Sequence, residues 1–245
     1  MNNESSQNNV EEPTIQQSAN EIGLVGRIFG VFTSPRKTFE NISLKPTWLV
    51  PLLILVILTG VLTYFMQPVI VTESLQKQQE KMEERGMSQE QIDGIAERTQ
   101  SWMKYTIMPS AVVVTIVGLL IGALIWLFVG NVILGGSAKF KQLFSINVFR
   151  SFIPILGGFI KLPIILNKQT LNVHFSLATF MSDALKDTFL YKALASVELF
   201  NIWSIAVLCI GVAVACKIKI SKVWPIVVIV YAIYFIGQAA LSSLF

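Results

Sequence analysis

The chain has 245 residues, of which 53% are hydrophobic and only 14% charged. That balance excludes an ordinary soluble domain of this length. The formal net charge of +4 is small and forms no dense basic patch away from the apolar runs, which excludes a nucleic-acid binder.

Residues 1–20 are polar, rich in Asn, Gln, Ser and Glu, and lack the apolar core of a signal peptide. They read as a disordered tail. Residues 21–46 follow as a pair of short interfacial helices. Ile22, Val25, Ile28, Phe29 and Phe32 share one helical face, and Gly23, Gly26, Arg27 and Gly30 occupy much of the rest. Such a segment is too short to span and suits the plane of the interface. Ser34 and Pro35 open the second helix as N-cap and first helical residue, and Phe39 and Ile42 point inward. Lys45-Pro46 ends it, and Trp48 stands where the chain enters lipid.

From there four long apolar runs, and a fifth that carries an arginine and a lysine, occupy most of the chain: Trp48–Met66, Ile107–Leu134, Phe144–Leu166, Leu194–Cys216 and Trp224–Phe245. A helix needs about 20 mostly apolar residues to cross a hydrocarbon core of roughly 30 Å, and each run is long enough. The fold class is therefore all-α: a polytopic membrane protein with five transmembrane helices and interfacial amphipathic helices. Its first partner is the lipid bilayer.

The first span is expected to end near Gln67-Pro68. Residues 71–105, rich in Glu, Gln, Lys and Met, then predict two short helices in an extracytoplasmic hairpin. Gly86 interrupts it, Ser88 and Gln91 have capping-box spacing, and Leu75, Met82, Ile92, Ile95 and Ala96 are its sparse apolar residues. A solvated loop and a partner-binding arm are both open readings. The second span carries Gly118 and Gly122, a spacing that lets membrane helices approach closely. Gly135-Gly136 makes a tight turn beside Lys139 and Lys141. The third span holds Arg150, Pro154, Gly157, Gly158, Lys161 and Pro163, and favours a kinked crossing over a re-entrant hairpin. Leu177, Phe180, Met181, Ala184 and Leu185 share a face of a further interfacial helix. Lys217, Lys219 and Lys222 fill the turn between the last two spans.

Those short basic turns predict a cytoplasmic N-terminus and an extracytoplasmic C-terminus, because lysine and arginine density sets membrane orientation. Cys209 and Cys216 lie two helical turns apart, about 10 Å, which is too far for a disulfide within one helix. They read as small apolar packing residues. His174, the single histidine, has no nearby ligand partner. No metal or cofactor motif, nucleotide loop or nucleophile elbow is present, so the chain reads as non-enzymatic.

The candidate sites are polar groups inside the spans, because charge at membrane depth is costly. Lys161 and Glu198 each lie roughly 7 Å below the outer surface and are placed to pair. Arg150 falls on the cytoplasmic side of the third span, near Asn131 and Asn147 in depth, and Gln238 lies deeper in the fifth. Arg150 and Lys161 also fit simple snorkelling to opposite interfaces, and Glu198 a structural pairing. That bland reading outweighs transport, since charges close to the interfaces are poorly placed for carrying ions.

Several stretches carry a family resemblance. Phe32-x-x-Pro35-x-x-x-Phe39-x-x-Ile42 with Pro46-x-Trp48-x-x-Pro51-Leu52 resembles the entry signature of bacterial Yip1-domain membrane proteins. Leu134-Gly135-Gly136-Ser137-Ala138-Lys139-Phe140-Lys141-Gln142 resembles the turn before their third span, and Asn201-Ile202-Trp203 with Gly211 their fourth. The resemblance covers roughly residues 25 to 245, with residues 47–245 as the membrane domain. It implies five membrane helices, a cytoplasmic N-terminus and no catalytic residues. Eukaryotic members act in vesicle trafficking with small GTPases, and some bacterial members are credited with helping ABC-type exporters assemble. The charged hairpin is longer than in many relatives. Together these readings predict a scaffold or assembly protein of a bacterial plasma membrane, docking an exporter subunit or a second copy of itself. The alternative is a small transporter or channel using Arg150, Lys161 and Glu198.

Overall fold

The computed structural model describes residues 22–173, 175–176, 181 and 188–244. The tail at 1–20, His174 and most of the amphipathic stretch from Leu177 to Leu185 lie outside the described residues. Nine α-helices are described: α1 (Leu24–Thr33), α2 (Pro35–Leu44), α3 (Leu49–Glu84), α4 (Gln89–Phe128), α5 (Phe140–Arg150), α6 (Phe152–Lys168), α7 (Phe189–Ser196), α8 (Leu199–Cys216) and α9 (Ile220–Leu244). Five stretches are long and apolar enough to cross a membrane: α3, α4 with the π-helical turn that follows it, α5 with α6, α8 and α9. The chain is an all-α, multi-pass membrane protein.

The boundaries differ from the expected ones in four places. The first span does not stop at Pro68. Proline removes one intrahelical hydrogen bond and bends a helix, but the Glu, Gln and Lys that follow are good helix formers. Nothing ends α3 until Gly86, whose φ of +74° needs a residue without Cβ. Ser88 and Gln91 then close a capping box and start α4, which runs back through Pro109. The hairpin is thus the continuation of two membrane helices, not a pair of separate short ones. Met82 and Ile92 are buried between its arms, and Gln67 Nε2 donates to the Lys104 carbonyl at its base, 2.9 Å.

The third crossing is kinked at Ser151, between α5 and α6. Pro154 lies three residues on. Its ring displaces the Arg150 carbonyl, the normal i−4 acceptor. Ser151 Oγ also donates back to the Asn147 carbonyl, 2.8 Å, a bond that bends helices. The fourth run divides as well. Leu194 belongs to α7, and the chain straightens at Val197–Glu198, where Ser176 and Glu198 form an isolated β-bridge and the Leu199 N–H donates to the Phe175 carbonyl, 2.9 Å. The last helix starts at Ile220, a turn earlier than the apolar run suggests.

α8 is the hub. It is apolar on every face, as a buried membrane helix should be, and packs against α2, α5, α6 and α9. Small residues bring the neighbours close. A Cβ on Gly136 would overlap Cys216 Cβ and the Gly130 carbonyl, so Cys216 fills the crevice under the turn that follows α4. α4 packs between α3 and α5, and α3 also touches α6. The outer faces of α3, α4 and α9 remain exposed and apolar, as lipid-facing helices are.

The short N-terminal helices sit differently from expectation. Val25 and Phe29 on α1 are exposed, while the face carrying Arg27 and Val31 is buried. α1 therefore turns Arg27 and Val31 inward, with Leu24, Ile28 and Phe32 against the core, while Gly23 and Gly26 stay exposed. Gly30 packs directly on Thr38 of α2. α2 inserts Phe39 and Ile42 into the main core, both fully buried, and Gln142 Nε2 ties it to α5 through the Ser43 carbonyl, 2.9 Å. α1 and α2 are thus packed onto one end of the bundle. That end also holds Lys139, Lys141, Lys217, Lys219 and Lys222 and is called the basic end below; the opposite one is the hairpin end.

Candidate functional site

The intramembrane polar residues form two separate groups. At the hairpin end, α6 and the start of α8 bring Lys161 and Glu198 together. Lys161 Nζ donates to both carboxylate oxygens, 2.9 Å to Oε1 and 2.8 Å to Oε2. The side chains are 19% and 15% exposed. A two-pronged ammonium–carboxylate contact in that setting is strongly coupled. It closes α6 against the α7–α8 junction, where Glu198 also holds the bridge to Ser176.

The second group lies deeper. Arg150 Nε donates to Asn147 Oδ1, 2.9 Å, and its Nη1 donates to Ser204 Oγ on α8, 2.8 Å. Asn147 is 1% exposed, and its Nδ2 donates to no acceptor. Gly122 of α4 makes room for it: a Cβ there would stand 3.2 Å from Asn147 Nδ2. Gly118, one turn along, has nothing within 4 Å of where its Cβ would be.

Three rulers set the depth of this cluster, each taken from the basic end at a rise of 1.5 Å per residue. Arg150 is about 15 Å from the start of α5 at Phe140. Ser204 is about 18 Å from Cys216. Gly122 is about 16 Å from the end of the π-helical turn at Ile133. Measured from those helix starts, Arg150 is about halfway through a hydrocarbon core of roughly 30 Å. The third crossing starts at Phe140, four residues before the expected Phe144.

The other candidates do not join either group. Asn131 sits in the π-helical turn and makes a double hydrogen bond with Ala138: Nδ2 donates to the carbonyl and Oδ1 accepts from the N–H, both 2.8 Å. With Gly135 at φ +70° it locks the turn between α4 and α5. Its role is structural, and its level is the basic end rather than that of Arg150. Gln238 lies on the exposed side of α9.

Two polar anchors escaped the sequence reading. Arg27 is buried. Its Nε donates to the Ile22 carbonyl and Asn41 Oδ1, and its Nη1 to the Lys45 carbonyl and Thr47 Oγ1. It therefore ties α1, α2 and the entry to α3 together. The only sequence signal was its place on the glycine face of α1. Glu73, within α3 beyond Pro68, accepts from Thr170 Oγ1, 2.6 Å, and from the Leu171 N–H, 2.7 Å. It holds the loop after α6 against the base of the hairpin.

Among the described residues no group of His, Cys, Asp and Glu is arranged to hold a metal ion. A groove of about 430 Å³ between α3 and α4 is lined by apolar and aromatic residues, including Gly60, Tyr64, Phe65 and Met108.

A family model described as the Yip1 domain matches residues 29–241. Membrane protein YknW of Bacillus subtilis (strain 168) is 30% identical over 209 residues, covering 84% of this chain and 85% of that protein. No solved structure matches the chain.

Proposed function

The chain belongs to the Yip1 domain family, and on that premise we propose that it is a non-enzymatic membrane scaffold that docks another integral membrane protein. The observation that carries this reading is the hairpin. α3 is 36 residues long, about 54 Å, so roughly 24 Å of it extends past a hydrocarbon core of about 30 Å. α4 returns beside it without a break. The arms bury Met82 and Ile92 and expose Lys77, Lys81, Glu83, Arg85, Asp93 and Arg98. A rigid, charged lever joined directly to two membrane helices is a poor linker and a good contact arm. The partner class in this proposal is a subunit of an ABC-type exporter, which is what the family resemblance implies. The membrane is the plasma membrane of a bacterium, in keeping with the relative from Bacillus subtilis.

The experiment replaces residues 78–95 with a short Gly/Ser turn, which spares Glu73 and the Gln67–Lys104 contact. The thermal midpoint of the purified chain should stay within a few degrees of wild type, because α3 and α4 keep their packed membrane halves. Co-purification of the partner should be lost. Collapse of the membrane domain, or full retention of the partner, would each overturn the reading.

Orientation follows from the short basic turns. In this proposal the basic end is cytoplasmic and the hairpin extracytoplasmic. With Cys209 and Cys216 replaced by Ala, an impermeant thiol reagent outside intact cells should label Glu80→Cys and not Ile220→Cys. Equal labelling of both would refute the arrangement.

The alternative, a small transporter or channel, draws its support from the depth of Arg150. Against it, Lys161 lies roughly 16 Å further along the crossing and is paired with Glu198. The three charges do not form one path.

A further inference from the structure

Arg150 presents a charge about halfway along the crossing that no described residue neutralises. Its two bonds go to neutral acceptors, Asn147 Oδ1 and Ser204 Oγ. Among the described residues it meets no carboxylate: the ion pairs are Arg36–Glu40 and Lys161–Glu198. A guanidinium carries five N–H donors and cannot shed its proton, so donors remain to be satisfied at a depth where water is scarce. The second observation is the neighbouring amide. Asn147 Nδ2 is buried and unpaired. Its Oδ1 is fixed toward Arg150 by the bond it accepts, so the NH2 group faces α4. One charged and one neutral donor group thus stand side by side.

The way in is along α4. This helix runs antiparallel to α5, and Gly122 stands against Asn147. One turn toward the hairpin end, Gly118 falls at about the level of Arg150. Gly118 is exposed with nothing within 4 Å of its Cβ position, and Val114, Val117 and Ile121 around it are exposed too. A helix could approach α4 closely here.

We propose that Arg150 and Asn147 receive a carboxylate carried near the midplane of a transmembrane helix of the docked partner, an inference that rests on the scaffold reading. A carboxylate matches the guanidinium fork and supplies the missing charge. A second copy of this chain does not fit the requirement. Among the described residues its carboxylate nearest that depth is Glu198, which lies at the hairpin end of α8 and which Lys161 already holds at both oxygens.

The test uses the purified full-length chain in vesicles of zwitterionic lipid. The probe is a synthetic leucine–alanine transmembrane helix with a single central glutamate, compared with central glutamine and central leucine versions. Association is read by energy transfer between labels on the probe and the chain, at alkaline pH. The glutamate helix should associate roughly tenfold or more tightly than the leucine one, and more tightly than the glutamine one. Arg150→Gln should remove that preference. Gly118→Leu, which leaves the bonds of Arg150 in place, should weaken it by blocking the approach. If Arg150→Gln fails to fold, Gly118→Leu alone decides. Equal association of the three helices, or a preference that survives both variants, overturns the proposal. Loss of the preference on adding anionic lipid assigns the site to a lipid and overturns it too. The chain with the shortened hairpin should keep the preference, so this site and the hairpin contact can fail independently.

Discussion

Glu198→Gln lowers the thermal midpoint of the detergent-solubilised chain by several degrees. The amide keeps the shape of the carboxylate but strands the Lys161 ammonium, which donates to Glu198 at 2.8 and 2.9 Å. Leaving one charge of a buried pair uncompensated costs about 3–5 kcal/mol. The residual exposure of 19% and 15% lets some water and headgroup screening in, so about 2–3 kcal/mol is expected here. For a chain of this size that corresponds to a shift of roughly 4–10 °C. Lys161→Met added to Glu198→Gln should recover part of the loss, since two neutral side chains leave no orphan. A double variant whose loss equals the sum of the single ones would show that the two residues are not coupled.

Arg27→Met releases the N-terminal helices. The methionine retains much of the apolar stem but removes the guanidinium that bonds Ile22, Asn41, Lys45 and Thr47. Buried acceptors left without a donor cost about 1–3 kcal/mol each, and hydrogen bonds to charged groups are at the strong end. A local loss of about 2–4 kcal/mol is expected. It should appear in hydrogen exchange as faster exchange across residues 24–45, with α8 still protected. Arg27→Lys should rescue little, because an ammonium cannot reproduce the fork. Unchanged protection of α1 and α2 in Arg27→Met would mean that Phe39 and Ile42 alone hold them.

The five crossings were legible because runs such as Val112–Val129 are apolar all round, which only lipid or a deep core explains. The breaks were not. Pro68 reads as a stop, yet a single proline in a strong helical context only bends it. The α7–α8 junction at Val197 interrupts an apolar run that gives no sign of it, because the break is set by pairing with Ser176 far away in sequence. Of the candidate site, the Lys161–Glu198 meeting could be read from depth alone, one charge near the same end of each span. The start of the third crossing was set four residues late, because Phe140, Lys141 and Gln142 look like loop until the bond from the Lys139 N–H to Gln142 Oε1, 2.8 Å, shows them to be the first turn of α5. Arg27 was passed over since it stands among glycines on the less apolar side of α1, of which Gly30 is the one that packs on Thr38 of α2.

The most direct measurement of the scaffold reading is the mass of the particle that contains this chain. The full-length protein, tagged and expressed at its natural level, is extracted from its own membranes in mild detergent and weighed by native mass spectrometry. The predicted result is a heteromeric complex with another integral membrane protein, reduced to the bare chain when residues 78–95 are replaced by the Gly/Ser turn. A bare monomer or a homo-oligomer from the wild-type chain, unchanged by that replacement, would contradict it.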